Sequence, residues 1–306
     1  SLARTCSGIG DAIPTVLTMT VVPILGAGSS MADYRIGFKW WALIIAVVFV
    51  ISELVCVACV PERPVACDEK PGKISDMFKA LFKNDQAMTV VVSIILVYTS
   101  LNICGNLVLY FFRFDVGNEG AYSLFAAVAF AAQVLVMMVI PLLRKRFSKS
   151  QLFISGFIIQ IAGFAVILIM AFAKLYTPQS WYILCLPGIL IYLGYGMLNV
   201  IMTIFLSDSV DYGEVMNGTR EESVIFSMQT FTVKLASGVA VFLAGLVVDW
   251  IHLDTAAAVQ TQDTLDALRM WMTIPSVILL IVGIFVFKRF YKLDDTRMEE
   301  IKSKLN

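Results

Sequence analysis

Apolar runs of membrane-spanning length recur along this chain, separated by short polar breaks. Gln86–Phe112, Gly120–Leu143, Ser150–Ala173, Leu175–Ser207 and Met270–Phe287 each reach eighteen or more residues without a charged side chain. Three further runs, Thr5–Gly26, Lys39–Val60 and Ser223–Trp250, carry isolated charges, among them Asp11, Glu53 and Lys234. A helix rising ~1.5 Å per residue crosses ~30 Å of hydrocarbon in about 20 residues. Lipid leaves the backbone no other way to satisfy its own polar groups in such segments. The pattern therefore predicts an all-α polytopic membrane protein with eight spanning helices. The first segment has no charged leader and no small-residue cleavage site, so it reads as a spanning helix rather than a signal peptide.

Composition agrees with the pattern. Apolar residues make up 59% of the chain and charged residues 15%, with a mean hydropathy of +0.83; an ordinary soluble domain is excluded. The net charge of zero hides an asymmetry. With both termini on the cytoplasmic side, 17 of the 23 lysines and arginines fall on that side and five opposite, and Lys234 stays in the membrane. The positive-inside rule thus orients the chain in a cell membrane, and the even helix count agrees with it. This charge distribution gives no sign of a nucleic-acid partner.

Lys234 is the most informative single residue. It lies roughly 18 Å along its helix, near the bilayer midplane, where an isolated lysine costs an estimated ~2.5–3.5 kcal/mol. Such a cation implies water or polar partners, and hence an ion or substrate pathway. Gln229, Thr230, Val233 and Lys234 share roughly one helical face, which joins amide, hydroxyl and ammonium groups. In the third helix Asn102 and Asn106 lie at i, i+4, one turn beyond Tyr98; amides in hydrocarbon need neighbouring helices or a hydroxylated ligand. In the first helix Arg4 and Asp11 share a face about 10 Å apart, and Asp11 is deep enough to favour a polar cavity. Gly194-x-Gly196 and Asn199 in the sixth helix read as packing positions.

Redox, metal and protease chemistry find no support. Cys56-x-x-Cys59 has no further ligand nearby, and one histidine, His252, serves the whole chain. No HExxH pattern is present, so neither a resident metal nor a cofactor is expected, and an enzyme is not.

The chain divides as residues 1–60, two helices; 61–85, a cytoplasmic linker; 86–290, a six-helix bundle; and 291–306, a cytoplasmic tail. Within the linker Ile74, Met77, Phe78, Leu81 and Phe82 recur at helical spacing, with lysines 79 and 83 opposite, as in an interfacial amphipathic helix. Two helices cannot enclose a pathway, so four earlier helices are expected before residue 1.

Between the sixth and seventh spans runs Ser207-Asp208-Ser209-Val210-Asp211-Tyr212-Gly213-Glu214, then Arg220-Glu221-Glu222, read as a charged connection. With Ser227-Met228-Gln229-Thr230-Phe231-Thr232-Val233-Lys234, this resembles the glycoside–pentoside–hexuronide:cation symporters of the major facilitator superfamily. Phe82-Lys83-Asn84, the basic Arg144–Lys149 loop and the Lys-rich tail add to the likeness. The resemblance implies a major-facilitator helical bundle, with eight of twelve helices present as the fifth to twelfth. It implies alternating-access symport of a sugar or glycoside with H+ or Na+, by a protein monomeric when complete. Lys234 would lie between sugar and cation sites; Gln229, Thr230, Val233, Asn102, Asn106 and Arg4 would contact sugar. Asp208, Asp211, Glu214 and Arg220 would form a cytoplasmic gate. Asp11 has no family counterpart, and its coupling role rests on burial alone. The cation-binding acids of the family belong to helices this chain lacks. The rival expectation is a receptor or assembly subunit on a transporter-like scaffold.

Overall fold

A computed structural model describes residues 2–28, 31–59, 82–218, 222–257 and 259–305. The helices are α1 (Leu2–Gly26), α2 (Met31–Cys59), α3 (Asp85–Tyr110), α4 (Ala121–Leu143), α5 (Lys149–Phe172), α6 (Cys185–Asn217), α7 (Glu222–Trp250), α8 (Gln262–Phe290) and α9 (Asp295–Leu305). Among the described residues α2 to α8 are each long and apolar enough to cross a membrane. α1, with 25 residues, has the length for an eighth crossing. The amphipathic stretch expected at 74–82 lies almost wholly outside the described residues.

α3 is the centre of the bundle, packed against α6, α7 and α8, while α5 fills the gap between α6 and α8. α4 packs on α6 and on α1, and α1 pairs with α2. Hydrophobicity does not drive helices together where lipid is equally apolar, so close backbone approach has to do it. α6 supplies that approach on two sides. A Cβ at Gly194 would stand 2.6 Å from the Gly156 carbonyl oxygen of α5, and one at Gly196 would stand 2.6 Å from Val136 of α4. Glycine at both positions lets α6 lie between its neighbours with no side chain in the seam. Near one end the rings of Phe153, Phe205, Phe287 and Tyr291 pack edge-on, tilted and stacked with centroids 4.4–5.2 Å apart and join α5, α6 and α8.

Two sequence expectations need correction. α6 does not end near Ser207. It runs to Asn217, where Gly218 (φ 72°) takes the left-handed conformation that closes a helix. Asp208, Asp211 and Glu214 therefore ride on its last turns rather than on a loop. The chain after the last span is not a plain tail either: Leu293, just before α9, and Met298 and Ile301 on α9 are buried against Tyr212 and Val215 of α6. That end, with the first turns of α3 and α5, is called the tail end below; the opposite one is the far end.

Candidate functional site

A cavity of about 670 Å³ opens between α3, α4, α6 and α7. α3 lines it with Tyr98, Asn102 and Asn106, α4 with Phe130 and Gln133, α6 with Tyr192, Tyr195 and Asn199. From α7 come Gln229, Thr230, Val233, Lys234 and Ser237. Six residues singled out from sequence, Asn102, Asn106, Gln229, Thr230, Val233 and Lys234, thus share one cavity. Arg4 and Asp11 lie on α1, but their side chains are outside the described set.

The helices aim these groups by register. Steps of four along α3 stack Tyr98, Asn102 and Asn106 on one face, and steps of three and four along α7 do the same for Thr230, Lys234 and Ser237. The amides of α3 are held by their own helix. Asn102 Nδ2 donates to the Tyr98 carbonyl at 2.7 Å, and Asn106 Nδ2 to the Asn102 carbonyl at 2.7 Å. A carbonyl only accepts, so each NH₂ must face it and each Oδ1 remains available as an acceptor. Asn199 Nδ2 donates to Tyr98 Oη at 2.7 Å, and Tyr195 meets the Tyr98 ring edge-on at 5.6 Å. Lys234 is exposed to the cavity, and among the described residues no carboxylate pairs with it. The site therefore combines fixed acceptors, aromatic faces and one ammonium, a lining suited to a polyhydroxylated ligand. No cluster of metal-ligand type occurs among the described residues.

Sequence reading missed Gln133. It is the one amide in α4, 5% exposed, and its Oε1 has no hydrogen-bond partner among the described residues. The rule that marked Asn102 marks it equally, since a lone amide in an apolar helix needs a reason. Asn199, read as a packing residue, stands at the cavity wall.

Asp208 accepts from Lys149 Nζ at 2.5 Å, with 7% and 6% of the two side chains exposed. The pair ties the last turns of α6 to the first residue of α5. Asp295 joins the pair, 3.4 Å from Lys149 and 3.2 Å from Arg144. Asp211 and Glu214 follow on α6, half-buried. Arg220 lies outside the described residues. Asn84 caps α3 through the Ala87 amide and also donates to the Ser209 carbonyl at 2.8 Å, which ties α3 to the same stretch of α6.

This is the architecture of a polytopic membrane carrier with a polar site between its helices. The family described as MFS/sugar transport protein matches residues 3–295, and the chain belongs to that family. It is 23% identical over 312 residues to a raffinose carrier protein of Pediococcus pentosaceus, covering 100% of this chain and 47% of that one. Identity to an isoprimeverose transporter of Lactiplantibacillus pentosus is 25% over 289 residues, or 94% and 58% of the two chains. For a lactose permease of Lactobacillus delbrueckii subsp. bulgaricus it is 24% over 313 residues, or 100% and 48%. The chain thus spans between about half and three fifths of these relatives' length. They are carriers and permeases, not enzymes.

Proposed function

We propose that this chain forms the C-terminal bundle, with one helix pair of the N-terminal bundle, of a cation-coupled glycoside symporter. The cavity is one half of its substrate site. The convergence of these six residues around the ammonium of Lys234, with which no carboxylate pairs among the described residues, carries the reading. Asn102 and Asn106 offer acceptors to sugar hydroxyls, Gln229 and Thr230 offer amide and hydroxyl groups, and Val233 shapes the wall. Arg4 on α1 adds a cation toward the same sugar. Lys234 sits between sugar and coupling cation, and Asp11, on the helix packed against α4, shares the coupling. The raffinose, isoprimeverose and lactose carried by named relatives make di- and trisaccharides the first substrates to try. H+ or Na+ is the coupling ion, and the complete protein works as a monomer.

The two bundles rock about this midplane site. In the cell membrane the tail end faces the cytoplasm, as the 17 basic residues favour. There Asp208, Asp211, Glu214 and Arg220 act as the gate, with Lys149 as a further member. Ligands drive closure only through different affinity for the two states. The test is sugar accumulation by the full-length protein in proteoliposomes under an imposed H+ or Na+ gradient. Lys234→Ala should insert normally and lose accumulation; undiminished accumulation sinks the reading.

A further inference from the structure

Phe130, Gln133 and Met137 form the stripe that α4 turns to the cavity, and Gln133 is its one polar side chain. It is 5% exposed, and its Oε1 has no hydrogen-bond partner among the described residues. Phe130 meets Tyr192 edge-on at 5.2 Å beside it, and the Gln133 stem lies over Gly196, where a Cβ would stand 3.2 Å from Cγ. Asn102, Asn106 and Asn199, by contrast, each donate to another protein group.

The position of this amide narrows what it can do. α4 packs on α6, α6 on α3, and α3 on α7, which sets α4 and α7 on opposite flanks of the cavity. Gln133 stands ten residues before the tail-end terminus of α4, and Lys234 twelve residues after that of α7, ~15 and ~18 Å along the axes. The two therefore lie at similar depth on facing walls. A cavity of this volume is sized for one small ligand, which meets both flanks. A packing role fits poorly, because methionine or leucine fills the same space and leaves no oxygen orphaned. A bare cation fits poorly too, since it calls for several converging oxygens. Gln160 of α5 is orphaned as well, but it lines no cavity and packs on Gly194 instead.

We propose that Gln133 is a specificity-determining residue for the carried sugar: its amide hydrogen-bonds a hydroxyl on the side of the ligand turned away from Lys234. The proposal rests on the symporter reading and adds a fixed orientation, with the ligand bridging α4 and α7. An amide both donates and accepts, and a half-turn of its last bond exchanges the two ends, so it suits a hydroxyl in either role.

Binding to the full-length protein in proteoliposomes tests this, with lactose, raffinose and isoprimeverose as probes. The tightest-bound of the three is carried forward with its monodeoxy analogues. Gln133→Met keeps the side-chain length without the amide and should weaken the probe about three- to tenfold. The penalty for deleting one particular hydroxyl, present in the unmutated protein, should vanish in the variant, because that bond is already gone. Thermal unfolding without sugar should show no loss, since the orphaned oxygen leaves with the amide. Gln160→Met makes the same exchange away from the cavity and should leave affinity within about twofold. Gln133→Asn withdraws the amide by one methylene and should shrink the penalty at the same hydroxyl; it serves if the methionine variant fails to insert. Unchanged affinity in the Gln133 variants, a loss by one factor for every analogue, or an equal loss in Gln160→Met overturns the role of Gln133 while the symporter reading stands. If the unmutated protein binds none of the three sugars, the symporter reading falls and the role of Gln133 with it.

Discussion

At the far end of the bundle Arg269 and Asp115 meet with 3% of each side chain exposed; at the tail end Lys149 and Asp208 are nearly as deep, yet the two pairs are built differently. The far-end cation is a guanidinium with its fork filled. Nε and Nη2 hold the two Asp115 oxygens at 2.8 and 2.5 Å, Nη1 holds Asp266 at 2.7 Å, and Tyr176 Oη donates to Asp115 at 2.6 Å. Its partners come from the π-helical turn Phe111–Val116 after α3, the α5–α6 connection and α8 itself. The tail-end cation is an ammonium, a point charge without that planar geometry. It is shared between a buried carboxylate and Asp295, whose side chain is 40% exposed. A fully coordinated arginine fixes elements in place, whereas a lysine shared with a solvent-facing acid exchanges partners at low cost. The far-end pair is therefore the more rigidly held of the two, and the proposed gate at the tail end rests on the more exchangeable one.

The sharpest way to break that contrast is Arg269→Met. It strands the Asp115 charge in the interior, and removal of one partner of a buried pair costs about 3–5 kcal/mol. Thermal unfolding of the purified protein should show a large loss. Replacing both residues with leucine should recover most of it, because two apolar side chains of similar size leave no orphaned charge. A double variant as unstable as the single one would mean the ion pair is not what matters there. The Tyr176 phenol is pushed up from its ordinary value first by burial and then by the Asp115 charge and hydrogen bond. A raised folded value contributes stability below the unfolded value of about 10, lost as pH rises through the folded one. Far-end stability should thus hold through neutral and mildly alkaline pH.

Lys149→Ala makes the parallel cut at the tail end and should cost less, ~1–3 kcal/mol, because it removes a single ammonium contact to Asp208 rather than the forked pair of bonds that holds Asp115. Its larger effect should fall on conformation. Accessibility of a cysteine placed at Ser209 to a membrane-impermeant thiol reagent should rise, since the side chain there is buried. The same probe on Arg269→Met should report no opening at the tail end. Equal labelling in both variants erases the distinction between anchor and gate.

Much of this was legible in the sequence, for identifiable reasons. Seven of the eight expected spans are described helices long and apolar enough to cross, because lipid enforces helices on apolar runs. Lys234 stood out because a midplane cation demands an explanation, and its stripe of Gln229, Thr230 and Val233 followed from helical spacing. The end of α6 was misread because hydropathy falls at Asp208 while the helix does not; only the left-handed residue at Gly218 stops it. Gln133 and Gln160 show a deeper limit. Each is an amide in an otherwise apolar helix, but Gln133 lines the cavity, whereas Gln160 is fully buried against Gly194 with no hydrogen-bond partner among the described residues. Which neighbour each faces depends on how α4 and α5 dock on α6, and a one-dimensional pattern carries no such information. Asp115 and Arg269 are 154 residues apart, and nothing in their local surroundings pairs them.

The smallest expected effect concerns α9. Burial raises the Asp295 carboxyl, but the hydrogen bond and charge of Arg144, followed by Lys149, outweigh it and hold the group below its ordinary value. A depressed folded value gives stability that is present above the unfolded value of about 3.9 and lost as pH falls through the folded one. Docking of α9 should therefore be indifferent to pH between about 5 and 8 and should loosen only below about 4. A fluorophore on exposed Lys302, quenched or freed as α9 moves, reads this directly. Asp295→Asn should shift the probe toward the loosened signal at neutral pH and abolish the acid transition, with a stability cost of under ~1 kcal/mol for so exposed a pair. Meanwhile Leu293, Met298 and Ile301 keep α9 on the bundle through their apolar contacts. If the asparagine variant still shows the acid transition, the titrating group lies elsewhere, and Asp295 is a bystander to the Lys149–Asp208 pair rather than the partner that makes it exchangeable.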